Sequence, residues 1–70
     1  MWEKGIMNGY KYEVKTFDKG SDLGIEGGRI SKLYIAKGKE TVCAYERGWD
    51  TLPKDDEARA VYEALVKKYN

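Results

Sequence analysis

Seventy residues with a net charge of +1, one cysteine and no histidine exclude an intrachain disulfide framework and the usual Cys/His zinc site. A chain this short buries roughly 60% of its unfolded surface, so a single domain spanning residues 1–70 is expected to need reinforcement from its two Trp and six Tyr or from oligomerisation. Residues 1–49 carry nine Lys/Arg against seven Asp/Glu, and residues 50–70 four against five; neither half has the one-sided field of a general DNA binder. No apolar run would cross a bilayer and no signal-peptide core follows MWEKG. A cytoplasmic protein with no membrane partner is expected, and the lone Cys43 fits a reducing compartment.

Trp2 to Ile6 and Tyr10 to Phe17 read as a hairpin around Asn8-Gly9. A two-residue type I′ turn would pair Met7 with Tyr10. A three-residue loop with Gly9 as the bulge pairs Ile6 with Tyr10 and Trp2 with Val14, gathering Trp2, Ile6, Tyr10, Tyr12 and Val14 on one face. That register is preferred because it collects the apolar residues, and it leaves Lys11, Glu13, Lys15 and Phe17 on the other face.

The stretch Phe17–Ile30, FDKGSDLGIEGGRI, holds four of the eight glycines. It is expected to be a long loop pinned back on the sheet by Leu23 and Ile25, with glycines supplying positive φ. Arg29–Lys37 and Glu40–Arg47 form a second predicted hairpin on a type II′ Gly38-Lys39 turn, pairing Lys37 with Glu40 and Ile35 with Val42. Strict alternation then assigns Leu33, Ile35, Val42 and Ala44 to the core, and Lys32, Tyr34, Cys43 and Tyr45 to the opposite face.

Pro53 marks the start of a helix from about Lys54 to Tyr69, capped by Thr51 or Asp50. Acidic Asp55, Asp56 and Glu57 suit its N-terminal end, and Lys67 and Lys68 its C-terminal end. Ala58, Val61, Tyr62, Leu65 and Tyr69 make one apolar stripe. The predicted fold is α+β: a four-stranded antiparallel meander of two hairpins with one C-terminal helix on one face (ββββα). Both ends lie close to regular structure, so a complete protein is expected. One helix cannot cover both faces of a sheet, and the second face stays open.

The segments GSDLGIEGGRISKLYI and YERGWDTLPKDDEA resemble a family of short proteins of unknown function from Gram-positive bacteria and their phages. The residues carrying the resemblance are Gly20, Gly24, Ile25, Gly27, Gly28, Arg29, Ile30, Ser31 and Leu33, then Arg47, Gly48, Trp49, Asp50 and Pro53. The resemblance spans nearly the whole chain and implies a phage or prophage setting, where small accessory and inhibitor proteins are common. It implies no catalytic or binding role for any residue.

Catalysis has little to draw on. There is no histidine base, Ser21 and Ser31 lie outside any G-x-S-x-G elbow, and Cys43 lacks an activating partner. Cys43 reads as a small hydrophobe. Asp18, Asp22 and Glu26 do not follow EF-hand spacing and read as turn formers. Gly27-Gly28-Arg29 could form an anion-binding nest, but no helix follows it and the loop reading accounts for the glycines. Trp49 is expected to plug the end of the core, flanked by Arg47 and Asp50, which could pair across the turn. No enzyme and no cofactor are expected.

The open face therefore carries the functional expectation, through Tyr34, Tyr45, Lys32, Lys11, Lys15 and Phe17. Exposed aromatics suit a protein partner of unknown identity or a homodimer. Aromatics among cations also suit single-stranded nucleic acid, the alternative. Glu13 and Glu46 would repel phosphate, which favours protein. Tyrosines merely shielding the sheet with their hydroxyls in water is the non-functional reading.

Overall fold

The computed structural model describes residues 2–70. Strands β1 (Trp2–Met7), β2 (Tyr10–Thr16), β3 (Ile30–Lys37), β4 (Glu40–Glu46) and β5 (Trp49–Thr51) form one antiparallel sheet in the order β1-β2-β3-β4-β5, followed by the helix α1 (Asp56–Tyr69). The meander and its single C-terminal helix are as expected. The sheet has five strands instead of four, because the chain reverses tightly at Arg47-Gly48 and returns alongside β4. Arg47 takes the left-handed conformation (φ 60°) and the Glu46 N–H donates to the Gly48 carbonyl at 2.8 Å.

The first hairpin uses the tighter of its two candidate turns. Asn8 (φ 52°) and Gly9 (φ 82°) are both left-handed, as a type I′ turn demands, and Met7 pairs with Tyr10. The preferred three-residue register is thus corrected. Trp2 pairs with Lys15 and Ile6 with Lys11, which sends Trp2 and Ile6 to the face opposite Tyr10, Tyr12 and Val14. Twist-matched turn geometry outweighed the apolar grouping: β2 gives the core Tyr10, Tyr12 and Val14, and β1 adds Met7, partly buried against the same cluster. Tyr12 lies over Gly5 on the edge strand, where a Cβ would come within 2.5 Å of the tyrosine oxygen.

In the second hairpin Lys37 faces Glu40 as expected, with positive φ at Gly38. The register then slips. Ala36 pairs with Thr41 but Ile35 with Cys43, so Val42 is an extra residue on β4. One inserted residue reverses the facing of all that follow. Cys43 and Tyr45 therefore join Leu33 and Ile35 in the core, while Ala44 moves to the open face. Two further bulges add Ser31 opposite β2 and Asp50 opposite β4. Ser31 is buried and its hydroxyl donates to the Lys15 carbonyl at 3.1 Å, and the shift lets Ile30 join the core cluster.

Helix α1 starts two residues later than expected, and its cap is neither Thr51 nor Asp50. Asp55 has extended backbone and its carboxylate accepts from the Ala58 N–H at 2.7 Å. Thr51 is held in β5, and Pro53 lies before the cap. The apolar stripe is as read: Ala58, Val61 and Leu65 are fully buried, and Tyr62 and Tyr69 pack against the same cluster. No helix of the described residues is long and apolar enough to cross a membrane.

The glycine-rich loop folds on itself through Ser21 N–H to Gly28 O (3.0 Å), Gly24 N–H to Ser21 O (2.9 Å) and Phe17 N–H to Arg29 O (2.7 Å). Ile25 is its buried anchor, whereas Leu23 is exposed, which corrects the two-residue pin. The second attachment is polar: the Leu23 carbonyl accepts from the Tyr45 hydroxyl at 2.9 Å. Asn70 completes it from the far end of the helix, accepting from the Ile30 N–H (3.0 Å) and donating to the Ile25 carbonyl (2.9 Å). A Cβ at Gly28 would overlap the Asn70 amide, so that glycine is needed for the approach. Asn70→Ala leaves both backbone groups without this partner and is expected to lower stability by about 1–3 kcal/mol, read as a lower urea midpoint at unchanged slope.

Candidate functional site

Three rows of side chains make up the open face. Trp2, Lys15, Lys32 and Glu46 lie in register across β1 to β4; Lys4, Glu13, Tyr34 and Ala44 form the next row; Ile6, Lys11, Ala36 and Thr41 the third. The Trp2 ring stacks against Tyr34 with centroids 6.2 Å apart and planes 16° from parallel, and Lys15 Nζ lies 5.9 Å from the indole centroid. Trp2 remains 43% exposed and Ile6 70%. Charge on this surface is mixed, with ion pairs Lys4–Glu13 at 3.8 Å and Lys32–Glu46 at 3.4 Å. The Tyr34 hydroxyl is raised above its usual pKa by burial first, then by the charge of Glu46 and its hydrogen bond, then by Asp50 and Glu13. Three carboxylates thus face the central tyrosine.

Of the expected site residues, Tyr34, Lys32, Lys11 and Lys15 lie together on this face. Tyr45 does not. The Val42 bulge turns it under the helix, where it is 7% exposed, its hydroxyl bound to Leu23 and its ring 5.0 Å edge-on to Trp49. Phe17 lies past the end of β2, half-buried, and makes no ring contact with Trp2 or Tyr34. Trp2 and Ile6 were missed, and their signal was present: Asn-Gly is the preferred type I′ pair. Asp50 was missed as well, because β5 was read as part of a turn.

On the helix side Trp49 is wedged between Tyr45 and Tyr62 (5.4 Å, edge-on) while staying 40% exposed, so it closes the core only in part. Arg47 and Asp50 form no ion pair with each other among the described residues. A shallow apolar concavity of about 270 Å³ lies beside it, between Leu52, Pro53 and Tyr62. The N–H groups of Gly27 and Gly28 point inward to Gly24 and Ile25, and Arg29 Nε donates to the Phe17 carbonyl at 3.1 Å. The tripeptide therefore does not present those two amides as an anion nest. Asp18, Asp22 and Glu26 are exposed, and no group of three or more potential metal ligands converges among the described residues.

The fold and face define a small α+β protein with one covered and one open sheet surface. The chain belongs to a family known as a domain of unknown function (DUF7678), which matches residues 1–70. No curated protein and no solved structure matches it.

Burial pushes the Cys43 thiol up to about 11, so it is expected to resist a thiol reagent at pH 8 in the folded protein and to react at once in denaturant. Tyr62 is pushed up to about 12, by burial first and then by Glu26 and other neighbours. The folded state holds this proton more tightly than the unfolded chain, whose tyrosines titrate near 10. Its contribution is complete below pH 10 and is lost as pH rises through 12. Thermal melts between pH 9 and 12 should show a falling midpoint, and Tyr62→Phe should flatten that fall.

Proposed function

We propose that this chain is a small non-enzymatic protein-interaction module that binds a protein partner through its open sheet face. The observation that carries the reading is the Trp2–Tyr34 stack, with Lys15 Nζ over the indole and Trp2 partly exposed, on a surface the helix does not cover. Trp and Tyr are among the residue types that dominate the energetics of protein interfaces. Glu13, Glu46 and Asp50 around Tyr34 oppose the alternative, a weak single-stranded nucleic-acid binder, because a phosphate following Lys11, Lys15 and Lys32 would pass those carboxylates. The resemblance to a phage-associated family supports a phage or prophage accessory or inhibitory factor. The unpaired thiol of Cys43 supports a cytoplasmic setting.

A photo-crosslinking residue at position 34, used in cells that express the chain, should capture protein. Trp2→Ala should cut that capture at least about tenfold, and Leu52→Ala, away from the face, should leave it unchanged. If nothing is captured and labelled oligonucleotides bind at low salt with loss on Lys15→Glu, the nucleic-acid reading replaces it.

A further inference from the structure

We infer that the occupant of the open sheet face is a second copy of this chain, related by a two-fold axis running along the strands between the two sheets; this rests on the interaction-module reading above. The argument is the placement of charge. On the open face β1 and β2 carry Lys4, Lys11 and Lys15 against one carboxylate, Glu13, which pairs with Lys4 at 3.8 Å, while Glu46 on β4 and Asp50 on β5 lie on the other side of Tyr34. A face that is basic at one edge and acidic at the other is complementary to its own image.

A two-fold axis along the strands lays β2 over β4 of the second copy and β3 over itself. Lys15 and Glu46 belong to one row, so each Lys15 meets Glu46 of the other copy, twice per dimer. Lys4 at one edge comes over Asp50 at the other. Lys32 lies on the central strand and would face its own copy, and Glu46, 3.4 Å from Lys32, is shared between Lys32 and the Lys15 of the other copy. Tyr34 and its stacked Trp2 supply the apolar centre. The other in-plane axis, perpendicular to the strands, sets β2 over β2 and brings Lys11 against Lys15; like charges disfavour it. Isologous contacts of this kind close on two copies, and facing sheets pack about 10 Å apart.

The molecule measures 31 × 20 × 18 Å. Its broadest outline is about 600 Å², below the roughly 800 Å² per partner of a standard interface. Association is accordingly expected to be weak and salt-sensitive.

Sedimentation equilibrium of the purified chain from 10 µM to 1 mM tests this. Dimer is expected at 20 mM salt, with Kd rising at least about tenfold at 500 mM. Lys15→Glu and Glu46→Lys should each weaken it at least about tenfold, the two together should restore it, and Leu52→Ala should change nothing. Circular dichroism confirms that each variant is folded, and should one unfold, the salt response of the unaltered chain decides. A monomer at 1 mM in low salt, or a dimer indifferent to salt and to the charge swap, overturns the inference. A monomer that still crosslinks a different protein through position 34 removes only the second copy; a monomer that crosslinks nothing removes the interaction module too.

Discussion

Side chains along a strand alternate between faces, so the register of one hairpin decides the chemistry of two surfaces. In β4 that decision is made by Val42, the extra residue opposite Ala36. Beyond it every side chain changes side, and Cys43 and Tyr45 come to lie under the helix with Leu33 and Ile35. The core thereby gains an aromatic whose hydroxyl reaches the Leu23 carbonyl and whose ring supports Trp49. For a small chain with a single cysteine and hence no intrachain disulfide, such packing with a satisfied polar tip is an effective reinforcement.

The same bulge leaves the open face less aromatic. Among the described residues Tyr34 is the one tyrosine in the centre of that face, and Trp2 reaches it from the edge strand. The strand register sets the surrounding lysines and glutamates in rows, with ion pairs Lys4–Glu13 and Lys32–Glu46 among them. The face is therefore a mixed-charge surface with one stacked aromatic pair. The tyrosines Tyr12 and Tyr69 belong to the covered side. The Tyr69 hydroxyl is raised by its hydrogen bond with Tyr12, then by burial, with Lys68 acting in the opposite direction.

The loop from Phe17 to Arg29 is held by parts far apart in sequence. Ile25 anchors it in the core, Tyr45 holds its middle and Asn70 ties it to the start of β3. Glycine spacing signals the loop itself, because Gly27 needs positive φ and Gly28 needs room for Asn70. Nothing in the local pattern distinguishes Leu23 from Ile25 as the buried one, since both sit among glycines in irregular backbone.

Local signals determined the order of the elements, the Asn8-Gly9 and Gly38-Lys39 turns, the helix stripe of Ala58, Val61 and Leu65, and the existence of an uncovered sheet face. These depend on periodicity and turn chemistry within a few residues, which a sequence carries directly. Only the tertiary structure decided the facing of Cys43 and Tyr45, the pairing of β5, and Asp55 as the helix cap. Each depends on where one strand slips against another or on which backbone groups a neighbouring element has already engaged. A single inserted residue, invisible to any count of apolar positions, moves half a strand to the other side of the sheet.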